Sequence, residues 1–303
     1  MKRSVKIVSI TAVAVILLIA SAAIGASWLG ARKAHRVVKL DVTAVAYVPG
    51  PDAIAHGKYL YNSRGCMECH GADGKGRVVI DDPNGMYIRS PNITSGTGGV
   101  VAGYSESDWV RTIRHGITPQ GHAVFLMPSE DYNRLTDADL AALVAYVRSL
   151  PPVAGEASVI KLPLIVKALY GIGAIHDASE KIDHALPPST PIAAEPTVAH
   201  GAYVANMCMG CHGAQLKGGK IPGAPPDWPA AANLTPGADS VLPRYASPEQ
   251  FKTMLRTGKR PDGSAVSTVM PFETLKQLND TDVDALYAYL KAQPTQAAQA
   301  AMN

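Results

Sequence analysis

The chain twice reads Cys-x-x-Cys-His, as Cys66-Met67-Glu68-Cys69-His70 and as Cys208-Met209-Gly210-Cys211-His212. This pentapeptide is the attachment sequence for c-type haem. The two thiols form thioethers with the haem vinyl groups, and the adjacent histidine ligates the iron. The sequence therefore predicts two covalently attached haem c groups, bound through Cys66, Cys69, Cys208 and Cys211, with His70 and His212 as iron ligands.

The cysteine count narrows the alternatives. The chain has four cysteines, and the two motifs use all of them. A disulfide framework would leave the two histidines unexplained. A zinc site of four cysteines normally closes a short loop, whereas these pairs are 139 positions apart (208 − 69). Both alternatives stay open, but the pattern favours haem. Attachment of haem c requires an extracytoplasmic assembly route, so the motifs also bear on location.

The N-terminus has the composition of a membrane-spanning segment. Lys2, Arg3 and Lys6 precede a mainly apolar stretch, residues 7–31, that carries no charge. About 20 apolar residues span a bilayer as a helix, while a signal-peptide core has about 7–15. We predict a retained anchor; cleavage after Ala20-Ser21-Ala22 is the alternative. Basic residues flank both ends, so haem attachment decides the orientation. We expect a bacterial cytoplasmic membrane location with the soluble part on the periplasmic side.

Composition describes an ordinary globular protein beyond that segment. Apolar residues make up 47% of the chain and charged residues 17%, with a net charge of +3. The positive charge is spread along the chain, and no nucleic-acid motif occurs, so we expect no nucleic-acid partner. The length after the apolar segment suits two domains.

An internal repeat organises the rest of the chain. Matching residues recur at offsets between 141 (233 − 92) and 144 (200 − 56). The matched pairs are His56-Gly57-Lys58-Tyr59 with His200-Gly201-Ala202-Tyr203, Asn92-Ile93-Thr94 with Asn233-Leu234-Thr235, Arg114-His115-Gly116 with Arg256-Thr257-Gly258, and Met127-Pro128 with Met270-Pro271. A period this long indicates duplicated whole domains and not a solenoid.

Each copy reads as mainly α-helical, with no strand-like alternation. First helices are predicted over 52–63 and 197–207, each leading into a Cys-x-x-Cys-His motif. Middle helices begin at Ser105, or at Ser107, and at Ser247, and they end at Gly116 and Gly258. Last helices begin after Thr136 and Asn279. We expect the following division: 1–48 anchor and short linker, 49–153 first domain, 154–192 interdomain linker, 193–293 second domain, and 294–303 flexible tail.

The second axial ligand determines what each haem does. An iron with two protein ligands exchanges electrons and has no position for substrate, and methionine raises its potential. Of nine methionines, Met127 and Met270 match each other, each preceding a proline shortly before a last helix. We predict them as the distal ligands. The first alternative is that both methionines only fill gaps in the hydrophobic core. The second is that His122 replaces Met127 as the ligand. His56 and His200 are expected to be surface or capping residues.

The order of these motifs resembles class I cytochrome c domains. More closely, it resembles the multihaem cytochrome c subunits of membrane-bound alcohol, gluconate and related dehydrogenases, mainly through residues 91–94 and 104–116. The resemblance covers 52–293. It implies iron ligation by His70 with Met127 and by His212 with Met270. It also implies that Tyr146 and Tyr289 pack the last helices against Gly57 and Gly201. Those subunits commonly carry three haem motifs, and this chain has two.

The expected function is electron transfer without a catalytic residue. The chain would pass single electrons from a dehydrogenase towards the respiratory chain or a terminal oxidase. Two alternatives remain: a cytochrome c subunit of a haem-copper oxidase, and a dihaem enzyme such as a peroxidase, which needs an open haem site.

Two further patterns carry expectations. Asn92 and Asn233 fit a glycosylation pattern, but a structural turn near each haem is the preferred interpretation. Residues 159–170 are apolar and too short and too charged to span a bilayer. We expect a linker packed across both domains; docking on a partner or on the membrane surface is the alternative.

Overall fold

The computed structural model describes residues 2–225 and 227–294, and it is mainly helical. The predicted tail, 294–303, lies outside the described residues except for Pro294. The helices are α1 Lys2–Ala34, α2 Pro51–Ser63, α3 Cys66–His70, α4 Glu106–His115, α5 Ser129–Tyr132, α6 Asp137–Ser149, α7 Leu164–Gly171, α8 Val198–Val204, α9 Met209–His212, α10 Pro248–Thr257, α11 Phe272–Leu275 and α12 Asp280–Ala292. The strands are β1 Val78–Asp81, β2 Tyr87–Arg89 and β3 Val159–Lys161.

Helix α1 is the predicted apolar segment. It runs for 33 residues, and Val5–Ala34 is long and apolar enough to cross a membrane. Its most apolar stretch of 18 residues is 0% buried. Only the C-terminal end of α1 packs against protein, through Ser27, Gly30 and their neighbours.

The two repeats have the same core, in which the first helix crosses the last. In the first repeat α2 packs on α6, and in the second α8 packs on α12. The helices touch through backbone at Gly57, where an added Cβ would lie 2.0 Å from the Ala142 carbonyl oxygen and 2.7 Å from Tyr146 Cβ. Gly201 meets Ala285 and Tyr289 in the same way. The expected packing of Tyr146 and Tyr289 on these glycines is confirmed.

We predict that Gly57→Ala destabilises the first repeat, because the added methyl has no space. Overpacking of this kind costs about 1–3 kcal/mol of the free energy of unfolding. Gly103→Ala is the matched control, since nothing lies within 4 Å of a Cβ built there. Thermal unfolding followed by circular dichroism measures both variants. Equal melting temperatures for the two would contradict this packing.

Helix ends follow the predicted capping residues. Ser105 accepts from the backbone N–H of Asp108 and forms a capping box with it, so Ser105 begins α4 and the alternative Ser107 was wrong. Ser247, Thr136 and Asn279 cap their helices by accepting from the backbone N–H three residues further on. Gly116 ends α4 at φ 63°, a left-handed conformation that favours glycine.

The structure adds two details to the predicted, mainly helical secondary structure. A small sheet accompanies the first repeat: β1 pairs antiparallel with β2, and β2 pairs antiparallel with β3, which lies between the repeats. They have four, three and three residues, which is too short for alternation to show. The helix predicted over 197–207 is α8 followed by a 3-10 helix, Ala205–Cys208.

The segment between the repeats packs on the first repeat and on α1. Strand β3 completes the sheet with β2, and α7 contacts α1 closely. An added Cβ on Gly30 would lie 1.9 Å from the Lys167 carbonyl oxygen, and one on Gly171 would lie 2.2 Å from that of Ala26. Residues 159–170 are therefore a packed element, but they pack on β2 of the first repeat and on the C-terminal end of α1, and not across both repeats.

Candidate haem sites

Each Cys-x-x-Cys-His motif forms a short helical turn at the end of a longer helix. In the first repeat Gly65, at φ 82°, separates α2 from α3, a conformation that a side chain would strain. In the second repeat the 3-10 helix leads directly into α9. The helical spacing places the two cysteines of a motif on one side, since residues i and i+3 share a helix face.

The proximal histidines are held in the tautomer that metal ligation needs. His70 Nδ1 lies 3.1 Å from the Pro91 carbonyl oxygen, and His212 Nδ1 lies 2.7 Å from that of Ala232. A carbonyl oxygen only accepts, so Nδ1 donates and Nε2 keeps its lone pair for iron. Burial lowers the pKa of both histidines. The lowered pKa favours the neutral imidazole, the form that would bind a haem iron.

The repeated Asn-x-Thr turns place these carbonyl groups. Asn92 is 0% exposed, and its side-chain oxygen accepts from the Thr94 N–H at 2.9 Å. Asn233 accepts from the Thr235 N–H at 2.8 Å. The residues that receive the histidine hydrogen bonds, Pro91 and Ala232, immediately precede these turns. The expected structural role of both asparagines is confirmed.

The four thiols are unpaired, and the first thiol of each motif packs on a hydrophobic cluster. All four cysteines are free, and burial raises the pKa of Cys66 and of Cys208 to about 12. Among the described residues no group of three or more His, Cys, Asp or Glu side chains is arranged to hold a metal ion. The geometry thus supports neither the disulfide nor the zinc alternative, and the residues present fit covalent haem c.

The two candidate distal methionines occupy equivalent positions. Met127 packs partly buried on the same hydrophobic cluster as Cys66, and Met270 on the same cluster as Cys208. The following prolines have nearly equal backbone angles, with φ −80° and ψ 64° at Pro128 and φ −79° and ψ 72° at Pro271. The loop after each methionine turns in the same way to begin a short helix.

The other histidines lie elsewhere. His122 is exposed, and its Nδ1 lies 3.3 Å from the Arg36 carbonyl oxygen. His56 has a half-exposed side chain, as expected, and bonds Asp139 at 2.6 Å. The expectation for His200 was wrong: its side chain is only 7% exposed, because its Nε2 bonds Asp282 at 2.7 Å.

The two repeats meet through a nearly symmetric polar interface that sequence reasoning missed. Tyr203 of the second repeat donates to Asp139 of the first. Tyr59 of the first repeat donates to Asp282 of the second at 2.6 Å, and Arg64 also bonds Asp282, at 2.9 Å. Burial raises the pKa of Asp282, but the Arg64 charge and the hydrogen bonds outweigh it and lower the pKa below its usual value. The recurrence of Gly-x-Tyr was the available signal.

The short helix after each candidate distal methionine also contacts the Cys-x-x-Cys-His motif of the other repeat. Asp131, in the short helix after Met127, accepts from the Gly210 N–H at 3.0 Å. Thr274, in the helix after Met270, bonds Glu68. The interface therefore connects the two candidate sites through the short helices that follow Met127 and Met270.

Asp131 is expected to make stability depend on pH. Burial, and then the neighbouring Glu130, raise the pKa of Asp131 to about 7. Between about pH 4, the ordinary pKa of an aspartate, and about pH 7, Asp131 is protonated in the folded chain and ionised in the unfolded chain. The free energy of unfolding therefore falls as pH rises through this range. At pH 8, Asp131→Asn should raise the free energy of unfolding by about 2–4 kcal/mol, since one pKa unit is worth about 1.4 kcal/mol.

The matched control is Asp183→Asn, since Asp183 is an exposed carboxylate that accepts a backbone N–H at 3.0 Å. Chemical denaturation of the haem-loaded protein at pH 5 and pH 8 measures the difference. A stabilisation by Asp131→Asn that is equal at both pH values would contradict the raised pKa.

Comparison with known proteins agrees with this geometry. Residues 54–151 and 198–294 each match the cytochrome c family. The chain is 30% identical over 272 residues to the cytochrome c subunit of a quinone alcohol dehydrogenase from Gluconobacter oxydans (strain 621H), covering 80% of this chain and 55% of that protein. It is 28% identical over 270 residues to the fructose dehydrogenase cytochrome subunit of Gluconobacter japonicus, covering 81% and 53%.

An oxidase subunit is similar over a shorter range. The chain is 30% identical over 117 residues to the Cbb3-type cytochrome c oxidase subunit CcoP of Helicobacter pylori (strain 52), covering 38% of this chain and 34% of that protein. The chain spans little more than half the length of the two dehydrogenase subunits. With both matched regions containing a complete Cys-x-x-Cys-His motif, this chain belongs to the cytochrome c family and carries two covalently attached haem c groups.

Proposed function

We propose that the protein is a membrane-anchored, periplasmic dihaem cytochrome c that transfers single electrons from a dehydrogenase to the respiratory chain or a terminal oxidase. The observation that carries this proposal is the pair of equivalent sites, each with a partly buried histidine whose Nδ1 lies against a backbone carbonyl oxygen, which leaves Nε2 for iron. The relatives named as dehydrogenase cytochrome subunits support the donor side of the proposal.

The proposed ligand sets keep both irons closed to substrate. Cys66 and Cys69 would hold one haem, and Cys208 and Cys211 the other. His70 and Met127 would ligate the first iron, and His212 and Met270 the second. The haem supplies the one-electron redox chemistry when it is bound. With both ligands supplied by the chain's own residues, each site would exchange electrons without offering a position for substrate.

The interface between the repeats supports electron exchange within the chain. The elements that follow Met127 and Met270 each contact the opposite haem motif. Asp282 and Arg64, both nearly buried, fix the two repeats against each other. We propose that an electron enters at one haem and leaves from the other. The proposed division is 49–153 for the first domain and 193–293 for the second, after the anchor in 1–48.

The proposed anchor makes a testable claim about the mature N-terminus. Because α1 continues without a break through Ala22 to its contacts with α7, we expect the mature chain to keep the whole of α1. Intact-mass measurement of protein purified from membranes should give a mass that includes residues 2–22 plus two haems. A mass that lacks the residues up to Ala22 would show that the segment is a cleaved signal.

A second candidate function is that of a cytochrome c subunit of a haem-copper oxidase. The similarity to the oxidase subunit over 38% of the chain favours it, and one anchor with two haems suits it equally. A dihaem peroxidase is a weaker candidate, because it needs an open or displaceable ligand at one haem.

Purification of the untagged protein from membranes in mild detergent separates these functions. We expect a dehydrogenase catalytic subunit to co-purify and to reduce both haems when its substrate is added. Co-purification of a haem-copper oxidase core would instead establish the second candidate. A monodisperse chain that no dehydrogenase in the same membranes reduces would contradict the proposal.

A further inference from the structure

We propose that α7 and the C-terminal end of α1 form a platform that rests in the headgroup layer of the lipid bilayer and holds the haem domains at a fixed height above it. This inference rests on the proposed membrane anchoring. The platform consists of α7, the turn that follows it, and residues 24–32 of α1.

The depth of this contact follows from helix length. The uncharged stretch of α1 starts at Ile7, and Ala26 is 19 residues further on (26 − 7). At about 1.5 Å per residue, that stretch is about 29 Å long. A bilayer has a hydrocarbon core about 30 Å thick. Gly171, which lies against Ala26 and Gly30, is therefore at the level where α1 leaves the hydrocarbon.

The platform exposes apolar side chains that the rest of the chain leaves uncovered. Leu164, Ile165 and Ile172 are 59%, 66% and 65% exposed. On α1, Ile24 and Trp28 are 63% and 59% exposed. These residues continue the bare apolar surface of α1 at the same end of the molecule. An apolar surface at that depth meets lipid, and α7, with eight residues, is too short to cross the bilayer itself.

Residue types at the edge of the platform match the membrane boundary. Tryptophan concentrates at the headgroup level, and Trp28 carries the Arg32 guanidinium over its ring at 5.7 Å. Long basic side chains reach from such positions towards lipid phosphates. A short apolar helix that packs beside a membrane span and carries one basic residue, Lys167, is thus suited to lie in the interface.

The platform is tied rigidly to both the anchor and the first repeat. Lys33 bonds Glu180 at 2.8 Å, and Arg36 bonds the buried Asp177 at 2.6 Å. Tyr170 donates to Asp177 and accepts from Arg36 at 2.8 Å. On the other side β3 joins the sheet of the first repeat. A tilt of the domains would therefore have to pull α7 out of the interface.

Site-directed spin labelling of the full-length, haem-loaded chain tests this placement. Labels are attached to Ile165→Cys and Ile172→Cys in vesicles of phosphatidylcholine and phosphatidylglycerol. Leu17→Cys, in the middle of α1, reports the anchor. Val198→Cys is the matched control, because Val198 is a 46% exposed apolar residue on a helix of the second repeat. Collision with oxygen, which concentrates in lipid, is compared with collision with a water-soluble nickel chelate.

We expect the oxygen-to-nickel ratio at 165 and 172 to be severalfold above that at 198 and below that at 17. Ratios at 165 and 172 equal to that at 198, with a high ratio at 17, would overturn the platform and leave the anchor standing. Labels at 165 and 172 shielded from both reagents would overturn it too, by showing a protein cover. A ratio at 17 equal to that at 198 would overturn the anchor and the platform together.

Discussion

Met127→Ala and Met270→Ala are each expected to change the absorption spectrum of one haem and to lower its reduction potential. Methionine favours the reduced iron relative to more electron-donating ligands, so its loss makes the ferrous state less stable. A tenfold change in the equilibrium between reduced and oxidised iron corresponds to about 59 mV for a one-electron couple. We expect the reduction potential to fall by at least this much. Spectroelectrochemical titration of each variant measures it.

Met254→Ala is the matched control for these variants. Met254 is a 4% exposed core residue of α10, and the first repeat has Thr112 at the equivalent position. Its truncation should lower thermal stability, as a core cavity does, without moving either potential. The pairing of Met127 with His70 and of Met270 with His212 is wrong if both ligand variants keep native spectra and potentials.

Asp282→Ala is expected to lower the free energy of unfolding by about 3–5 kcal/mol, the range for removing one partner of a buried ion pair. Arg64 would keep its charge with a side chain only 7% exposed. Tyr59 and His200 would lose the same acceptor. We also expect the two repeats to separate in their unfolding, because Arg64 and Tyr59 join the first repeat to the second through this carboxylate. Differential scanning calorimetry measures both effects.

The internal repeat supplies the control. Asp139 is the counterpart of Asp282, but its histidine partner is 49% exposed and hydrates when the carboxylate is lost. The second repeat has Asn206 where the first has Arg64, so no arginine bonds Asp139 in the way that Arg64 bonds Asp282. Because Asp139 also accepts from Tyr203, Asp139→Ala should cost about 2 kcal/mol, the net value of two ordinary hydrogen bonds. Equal losses from the two substitutions would contradict the role given to Arg64.

The Asp282 interaction also has a pH dependence of known sign. Its pKa is lowered in the folded chain. Its contribution is therefore complete above the ordinary carboxylate pKa and is lost as pH falls through the lowered value. This is opposite in sign to the effect of Asp131, so the two carboxylates of one interface respond to different pH ranges.

Local signals predicted the helical part of the fold well. Ser105, Thr136, Asn279 and Gly116 act through hydrogen bonds and backbone angles within a few residues, and such effects are readable in one stretch of sequence. The contacts of Tyr146 with Gly57 and of Tyr289 with Gly201 followed from the resemblance to cytochrome c domains. The internal repeat gives the equivalent residues in both copies.

Long-range contacts explain what the sequence did not predict. Strand β3 has three residues and exists because it pairs with β2, so nothing in its own sequence marks it. The burial of His200 depends on Asp282, 82 positions away, and the Arg64–Asp282 contact joins residues 218 positions apart. Pro91 and Ala232 bond the histidines through backbone carbonyl oxygens. Because every residue has this group, the residue type does not indicate which carbonyl lies near a histidine.

The central claim is that both haems are closed, one-electron carriers. Carbon monoxide binding to the fully reduced, full-length protein, followed by a potentiometric titration, tests it most directly. With His70 and Met127 on one iron and His212 and Met270 on the other, as proposed, we predict no spectral change with carbon monoxide and a titration that takes up one electron per haem. Binding of carbon monoxide to either native haem would show an open coordination position and contradict the account.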